Sequence, residues 1–132
     1  IPESTEYLLY YAKLNARLNK GDEVIHSYEK LLEIDPESIE IWLDYSQYFD
    51  DLGEIENAIE IMMEGLSFQG EKAEYNYRMA AYLLKAGKEP EALIFLGEAL
   101  LEDYDSHQLL FDYYKEAINI INVNQLIQIF KS

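Results

Sequence analysis

Residues 39–72 read IEIWLDYSQYFDDLGEIENAIEIMMEGLSFQGEK, and this stretch decides the fold. Its first half places bulky or small side chains at the spacing of one helical face, at Trp42, Tyr45, Ser46 and Phe49. Gly53 then predicts a helix end, because glycine readily adopts the left-handed conformation found there. A second helical face follows at Ala58, Ile59, Met62, Gly65 and Leu66. The stretch is therefore predicted to form two amphipathic helices joined by a short turn.

The same pattern recurs every 34 residues. Gly53 returns as Gly87 and Ala58 as Ala92, while Asn19 stands one period before Gly53. Asparagine also tolerates the left-handed conformation, so the turn is expected there too. A fixed period of this length indicates a solenoid, in which each unit stacks on its neighbours. We predict one all-α domain over residues 1–132, with units 5–38, 39–72 and 73–106 and a partial unit 107–132.

The last stretch departs from the repeat. Tyr114 stands where the other units have a small residue, so the helix that begins at His107 is expected to pack differently. An Ile- and Asn-rich segment follows, and a short apolar helix is predicted over 125–130. Solenoids require an element that covers the end of the last unit, and we favour that capping role. An apolar surface that pairs with another copy, giving a homo-oligomer, is the alternative.

Charge restricts the class of partner. The chain has 26 acidic residues against 10 Lys and Arg, a net charge of −16. Nucleic acid and anionic membrane surfaces would be repelled, so we expect neither as a partner. Residues 31–71 contain twelve acidic side chains and no Lys or Arg. That segment would attract a basic partner, and the alternative is a solvated surface that keeps the protein soluble.

No motif for catalysis, a cofactor or a metal stands out. The chain has no cysteine, which excludes thiolate metal sites, and no glycine-rich phosphate loop. Asp103, Asp105 and His107 alternate in one segment but lack the further ligands and the turn glycine of a calcium loop. We expect a non-enzymatic protein without cofactor or metal.

The first residues look like the end of a unit. Pro2-Glu3-Ser4 repeats as Pro36-Glu37-Ser38, and residue 1 is Ile instead of Met. We expect the chain to be the C-terminal part of a longer array. Targeting information at an earlier N-terminus would then be absent, and a cytoplasmic location is favoured.

The units resemble the tetratricopeptide repeat, whose pattern is W-x2-L-G-x2-Y, then A-x3-F, then P. Residues 39–72 offer Trp42-x2-Tyr45-Ser46-x2-Phe49 and then Ala58-x3-Met62. No unit has the Leu-Gly pair, and the unit-ending proline is present at Pro36 and Pro2. The resemblance covers about four fifths of the chain. It implies a right-handed superhelix of antiparallel helix pairs, with the first helix of each pair lining a concave groove that holds a protein or peptide.

The resemblance also implies which side chains face that groove. They are Leu9, Lys13, Glu40, Leu43, Asp44, Gln47, Asp50, Asp51, Glu74, Tyr77 and Arg78. We expect Asp44, Asp50 and Asp51 to steer a basic or basic-apolar partner, and Leu9, Leu43 and Tyr77 to serve as apolar anchors. Glu6, Glu40 and Glu74 recur at one place and form an acidic column, which the helix dipole also explains. The predicted function is a non-catalytic binding scaffold; the alternative is an assembly module that acts through the apolar C-terminal segment.

Overall fold

Eight α-helices follow one another along the chain in the computed structural model, which describes residues 5–69 and 72–131. They are α1 (Thr5–Arg17), α2 (Gly21–Ile34), α3 (Ile39–Asp51), α4 (Ile55–Gln69), α5 (Ala73–Lys85), α6 (Glu89–Glu102), α7 (Gln108–Tyr113) and α8 (Ile121–Phe130). Two 3₁₀ turns, Tyr104–Ser106 and Lys115–Asn119, flank α7. These residues contain no strand, so the predicted all-α class is confirmed.

The helices pack as pairs that keep the sequence period. The closest neighbours are α1 with α2, α3 with α4, and α5 with α6. Helices α3 and α5 begin 34 residues apart, at Ile39 and Ala73. In the C-terminal part, α7 packs on α5 and α8 packs on α6. The chain is thus an all-helical repeat.

The turn inside each pair has the same backbone geometry. Asn19, Gly53 and Gly87 have φ angles of 59°, 77° and 76°, which confirms the predicted left-handed positions. At Gly53, the N–H of Glu54 donates to the carbonyl of Phe49 at 2.9 Å, and the N–H of Gly53 donates to the backbone carbonyl of Asp50 at 2.9 Å. These two bonds form a Schellman motif, which satisfies helix-end carbonyls.

Small residues lie where the helices approach most closely. Ala12, Ser46 and Ala80 share one place in the period and are fully buried. A Cβ added at Gly65 would lie 2.5 Å from the Trp42 ring and from the Tyr75 hydroxyl. Only glycine fits this position without displacing its neighbours. Side-chain volume at the crossing points therefore decides how closely the helices pack.

The C-terminal segment differs in part from the expectation. Helix α7 has only six residues and ends at Tyr113, and its C-cap is Tyr114, the bulky residue that interrupts the repeat. Helix α8 begins at Ile121, four residues before the predicted start. The Asn-rich segment has low helix propensity, but Val123 and Ile127 lie one turn apart and are buried. Tertiary packing overrides the propensity here.

Candidate partner-binding face

The side chains expected to bind a partner lie on α1, α3 and α5, and we call the solvent-facing surface of these helices the first-helix face. The structure exposes Lys13, Glu40, Asp51 and Glu74. It leaves Leu9, Asp44, Gln47, Asp50 and Arg78 partly buried, and it buries Leu43 and Tyr77. The predicted residues therefore separate into a polar surface and a buried part.

Two of the three predicted apolar anchors belong to the core. Tyr77 is fully buried, and its hydroxyl donates to the carbonyl of Asp103 at 2.7 Å. Leu43 is 7% exposed. Neither presents a surface to a partner, so their expected role as anchors is corrected to core packing. The repeat register alone did not reveal this, because α5 is buried on most of its circumference.

Polar pairs connect successive first helices. Lys13 Nζ lies 3.6 Å from Asp44 Oδ2, joining α1 to α3. Lys85 Nζ donates to both carboxylate oxygens of Asp50 at 3.0 and 2.8 Å, joining α3 to α5. Because Asp50 is already neutralised within the fold, it contributes to helix stacking and leaves little charge for a partner.

Arg78 makes a second connection across the same face. Its Nη1 donates to Gln47 Oε1 at 2.9 Å and to the Tyr82 hydroxyl at 3.2 Å. The guanidinium lies over the ring of Tyr113 on α7, 4.1 Å from the ring centroid. The cation–π contact joins α5 to α7, and the hydrogen bond to Gln47 joins α5 to α3, so one side chain connects three helices. Sequence reasoning missed Tyr113, whose place one helix beyond the last full unit carried no recognisable signal.

Asp44 lines a cavity of about 270 Å³ on this face. Tyr28, Lys13 and Asp51 also line it. Burial raises the pKa of the Asp44 carboxyl above its ordinary value; Lys13 opposes the rise, and Glu40 adds to it. The Oδ2 atom is buried without a hydrogen bond, since the 3.6 Å contact with Lys13 is too long to be one. Asp44 is therefore an under-satisfied carboxylate at the base of a cavity.

Tyr28 adds a hydroxyl to that cavity. The side chain is buried, and its hydroxyl makes no hydrogen bond to any residue the structure describes. Burial, together with the Asp44 carboxylate, raises the pKa of the phenol. The hydroxyl therefore stays protonated and can both donate and accept a hydrogen bond.

The acidic column remains open to solvent. Glu6, Glu40 and Glu74 are exposed, and within residues 5–69 and 72–131 none of them forms an ion pair. Asp51 is also exposed and accepts a hydrogen bond from Gln47 Nε2 at 2.8 Å. Of the cations on or beside the face, Lys13, Arg78 and Lys85 contact Asp44, Gln47 and Asp50, whereas Arg17 is exposed and lines the Asp44 cavity. The exposed acids Glu6, Glu40, Asp51 and Glu74 outnumber the exposed cations Lys13 and Arg17. The accessible charge is consequently negative.

The Asp103–His107 segment has other contacts. Ser106 Oγ donates to Asp103 Oδ2 at 2.6 Å, and His107 Nδ1 lies 2.8 Å from the carbonyl of Tyr104. Across the described part of the chain, no three His, Asp or Glu side chains are grouped so that they could hold a metal ion. In that same part, no helix is long and apolar enough to cross a membrane.

Comparison with known proteins gives two partial matches. A stretch of 45 residues, 34% of this chain and 7% of the relative, is 40% identical to the pre-mRNA-splicing factor CLF1 of Kluyveromyces lactis. A stretch of 61 residues, 46% of this chain and 9% of the relative, is 34% identical to the pre-mRNA-splicing factor CLF1 of Eremothecium gossypii. No family model matches the chain.

These matches are local. The chain spans less than a tenth of the length of either relative. Both relatives are named for pre-mRNA splicing, and this name gives no support to the cytoplasmic location that the sequence favoured.

Proposed function

We propose that this chain is a protein-binding scaffold built from tetratricopeptide-like helix pairs, and that its first-helix face is a groove for a basic or basic-apolar segment of a partner protein. The similarity to two splicing factors supports a role within protein complexes. The 34-residue pairing of helices supports the repeat type, because units of this kind expose long binding surfaces. We propose no enzymatic activity.

The single observation that carries the proposal is the state of Asp44. Its Oδ2 is buried without a hydrogen bond, and Lys13, whose Nζ lies 3.6 Å away, is exposed. Arg17 also lines the cavity, and Arg78 partly offsets the effect of burial on the Asp44 carboxyl. Burying an unsatisfied carboxylate is unfavourable, and a partner's ammonium or guanidinium that enters the cavity would offset the cost. Glu40 and Asp51 lie nearby and would attract such a group. Asp50 is excluded from this role because Lys85 already binds it.

The proposal is tested by removing charge from the face while keeping side-chain shape. The triple variant Glu40→Gln, Asp44→Asn and Asp51→Asn is compared with wild type in pulldowns from a lysate of the source cells. A control variant, Glu91→Gln, Glu98→Gln and Glu102→Gln, removes the same charge from exposed positions on α6. Circular dichroism verifies that each variant is folded.

We expect wild type and the α6 control to retain the same proteins, and the face variant to lose some of them. A partner lost from both variants would depend on net charge alone, and retention by the face variant would contradict the proposed groove.

A second candidate function, self-association, has its own observation. Residues 117–130 contain no charged side chain, and Ile121 and Ile129 on α8 are 71% and 74% exposed. An exposed apolar surface marks a protein contact more often than chance. An uncharged surface also lets two acidic chains approach with less repulsion. We propose that this surface pairs with a second copy if the chain forms an oligomer.

Sedimentation velocity over a range of concentrations tests the second candidate. Ile121→Asn with Ile129→Asn is expected to abolish any self-association, whereas Leu52→Asn with Met63→Asn, which changes exposed apolar residues elsewhere, is expected to leave it intact. Phe130 is unsuitable for this test, because its side chain is partly buried and packs against the core. A wild-type protein that stays monomeric at all concentrations would rule the candidate out.

A further inference from the structure

A second cavity, of about 240 Å³, lies between α2 and α4 and has α3 side chains as its floor. We call it the second-helix cavity. Trp42, Tyr45 and Phe68 supply aromatic surface, and Glu29, Glu33 and Glu64 supply carboxylates. Its volume is below the range of about 300–1,000 Å³ that is usual for small-molecule sites. The cavity therefore suits a single side chain.

The aromatic wall is held in place by contacts of its own. The rings of Trp42 and Phe68 stack with centroids 5.9 Å apart and planes 19° apart. Trp42 Nε1 donates to the carbonyl of Pro36 at 2.7 Å, which fixes the indole against the loop that precedes α3. Gly65 lets α4 approach that indole closely. The cavity thus has a flat and preformed apolar surface.

Tyr45 lines this cavity and offers its hydroxyl to a bound group. The residue is 4% exposed, and its hydroxyl makes no hydrogen bond to any residue that the structure describes. The hydroxyl is not among the buried polar atoms that lack a partner, so it is open to solvent, and a group that enters the cavity can form a hydrogen bond with it. Burial, with Glu29 and Glu64 adding to the effect, raises the pKa of Tyr45 to about 12, so the phenol is uncharged at neutral pH.

The carboxylates are available and have no internal cation. Glu29, Glu33 and Glu64 are exposed and form no ion pair among the described residues. The sequence from Leu31 to Gln69, which supplies Glu33 and Glu64, contains no Lys or Arg, while Lys30 stands next to Glu29 on α2. In the described residues no three acidic groups are close enough to share a metal ion. Glu29, Glu33 and Glu64 therefore line the cavity without forming a metal site.

We propose that the second-helix cavity binds the side chain of an arginine from a partner protein. The aliphatic stem would pack on Trp42 and Phe68, and the planar guanidinium suits an aromatic wall better than an ammonium does. The five N–H donors of the guanidinium match Glu29, Glu64 and the Tyr45 oxygen, which accepts one of them. This site does not depend on the first-helix face, since the two cavities share no lining residue.

The indole of Trp42 provides a specific readout, because the chain contains one Trp. The probe is N-acetyl-arginine N-methylamide, titrated while the indole N–H signal of Trp42 is followed by NMR. We expect a saturable shift with a Kd of about 10 mM or tighter. The citrulline counterpart, which has nearly the same shape without the charge, is expected to produce no saturable shift.

Variants separate this site from general charge attraction. Glu29→Gln with Glu64→Gln should weaken binding about tenfold, whereas Glu91→Gln with Glu98→Gln on α6 removes equal charge and should leave it unchanged. Tyr45→Phe should weaken binding without lowering the unfolding temperature. Equal binding of citrulline, no saturable shift with the arginine probe, or unchanged affinity in the Glu29/Glu64 variant would overturn the proposal. The first-helix proposal would be unaffected, because its test uses other residues.

Discussion

Tyr28 of α2 and Tyr45 of α3 stack with ring centroids 4.9 Å apart and planes 17° apart, and each lines a different cavity. The Asp44 carboxylate adds to the rise in the pKa of Tyr28 caused by burial, whereas Glu29 and Glu64 add to the rise in the pKa of Tyr45. One aromatic stack between consecutive repeats therefore brings a tyrosine hydroxyl to each of the two candidate binding cavities. Both tyrosines belong to the core, and each of them lines one of the two cavities.

Replacing these tyrosines by phenylalanine should not destabilise the protein. Tyr28→Phe and Tyr45→Phe keep the stack and remove a hydroxyl that has no hydrogen bond, so stability should stay within about 0.5 kcal/mol of wild type or rise. Tyr75→Phe and Tyr77→Phe are the comparison, because these hydroxyls donate to Met62 and Asp103 carbonyls. Each of these two substitutions should lower the free energy of unfolding, measured by urea denaturation, by about 0.5–1.5 kcal/mol. Equal losses in both groups would contradict the hydrogen-bond assignment.

Gly65 and Gly97 should respond in opposite directions to alanine. At Gly65 the added Cβ would meet the Trp42 ring and the Tyr75 hydroxyl at 2.5 Å, and both groups are held by hydrogen bonds. Overpacking of this kind costs about 1–3 kcal/mol. A Cβ added at Gly97 would have no atom within 4 Å. Because alanine favours the helical conformation over glycine, Gly97→Ala should raise the free energy of unfolding by about 0.5–1 kcal/mol. Urea unfolding of the two variants measures the difference, and destabilisation by Gly97→Ala would contradict it.

The Asp50–Lys85 pair should matter more than the Glu56–Lys88 pair. Lys85 and Asp50 side chains are 25% and 15% exposed, whereas Lys88 and Glu56 are 41% and 66% exposed. Lys85→Met leaves a largely buried carboxylate without its partner and should cost about 1–3 kcal/mol. Lys88→Met should change stability by less than about 1 kcal/mol. Thermal unfolding at low and high salt checks both values, and similar losses would show that Asp50 is not stabilised by Lys85.

Asp44→Asn should alter the pH dependence of stability. The pKa of Asp44 is raised in the folded state above its ordinary value of 3.8, chiefly by burial. Its contribution to stability is therefore greatest at pH values below 3.8 and is lost as the pH rises through the folded-state pKa.

The Asn variant, which has no charge to bury, should be more stable than wild type at pH 7, and the difference should shrink toward pH 3. Urea unfolding at a series of pH values measures this. A variant that is less stable than wild type at pH 7 would show that the Lys13 contact outweighs burial.

The left-handed turn positions offer a further test. Gly53→Ala and Gly87→Ala place a residue with a β-carbon at a position of positive φ, so each should lower the free energy of unfolding by about 1–2 kcal/mol. Asn19→Gly relieves the same strain and should be neutral or stabilising, by up to about 1 kcal/mol. No atom would clash at either glycine, so a loss there reports on backbone conformation alone. An unchanged unfolding midpoint in Gly53→Ala would contradict this reading.

Much of the fold follows from local patterns in the chain. The 34-residue period, the helical spacing around Trp42 and the turn residues Asn19, Gly53 and Gly87 predicted the helix pairs and their turns. These features depend on backbone conformation and on side-chain spacing within one helix. Both are properties of a short segment, so they could be recognised without tertiary information.

The candidate sites were less predictable. The acidic segment was visible in the sequence, but the pairing of Asp50 with Lys85 was not, although the two residues are 35 positions apart, close to one period. The burial of Tyr77 and the start of α8 at Ile121 also differed from expectation. In each case the outcome depends on which neighbouring helix covers the residue.

The sequence by itself therefore determined the all-α class, the length of the repeating unit and the glycine or asparagine at each turn, because local sterics and periodicity decide these. The tertiary structure alone decided which acids remain available, which tyrosines lack a hydrogen bond and where the two cavities lie. Charge neutralisation and burial arise between segments about one period apart in the chain. Their outcome depends on how closely the helices approach, which a linear pattern does not contain.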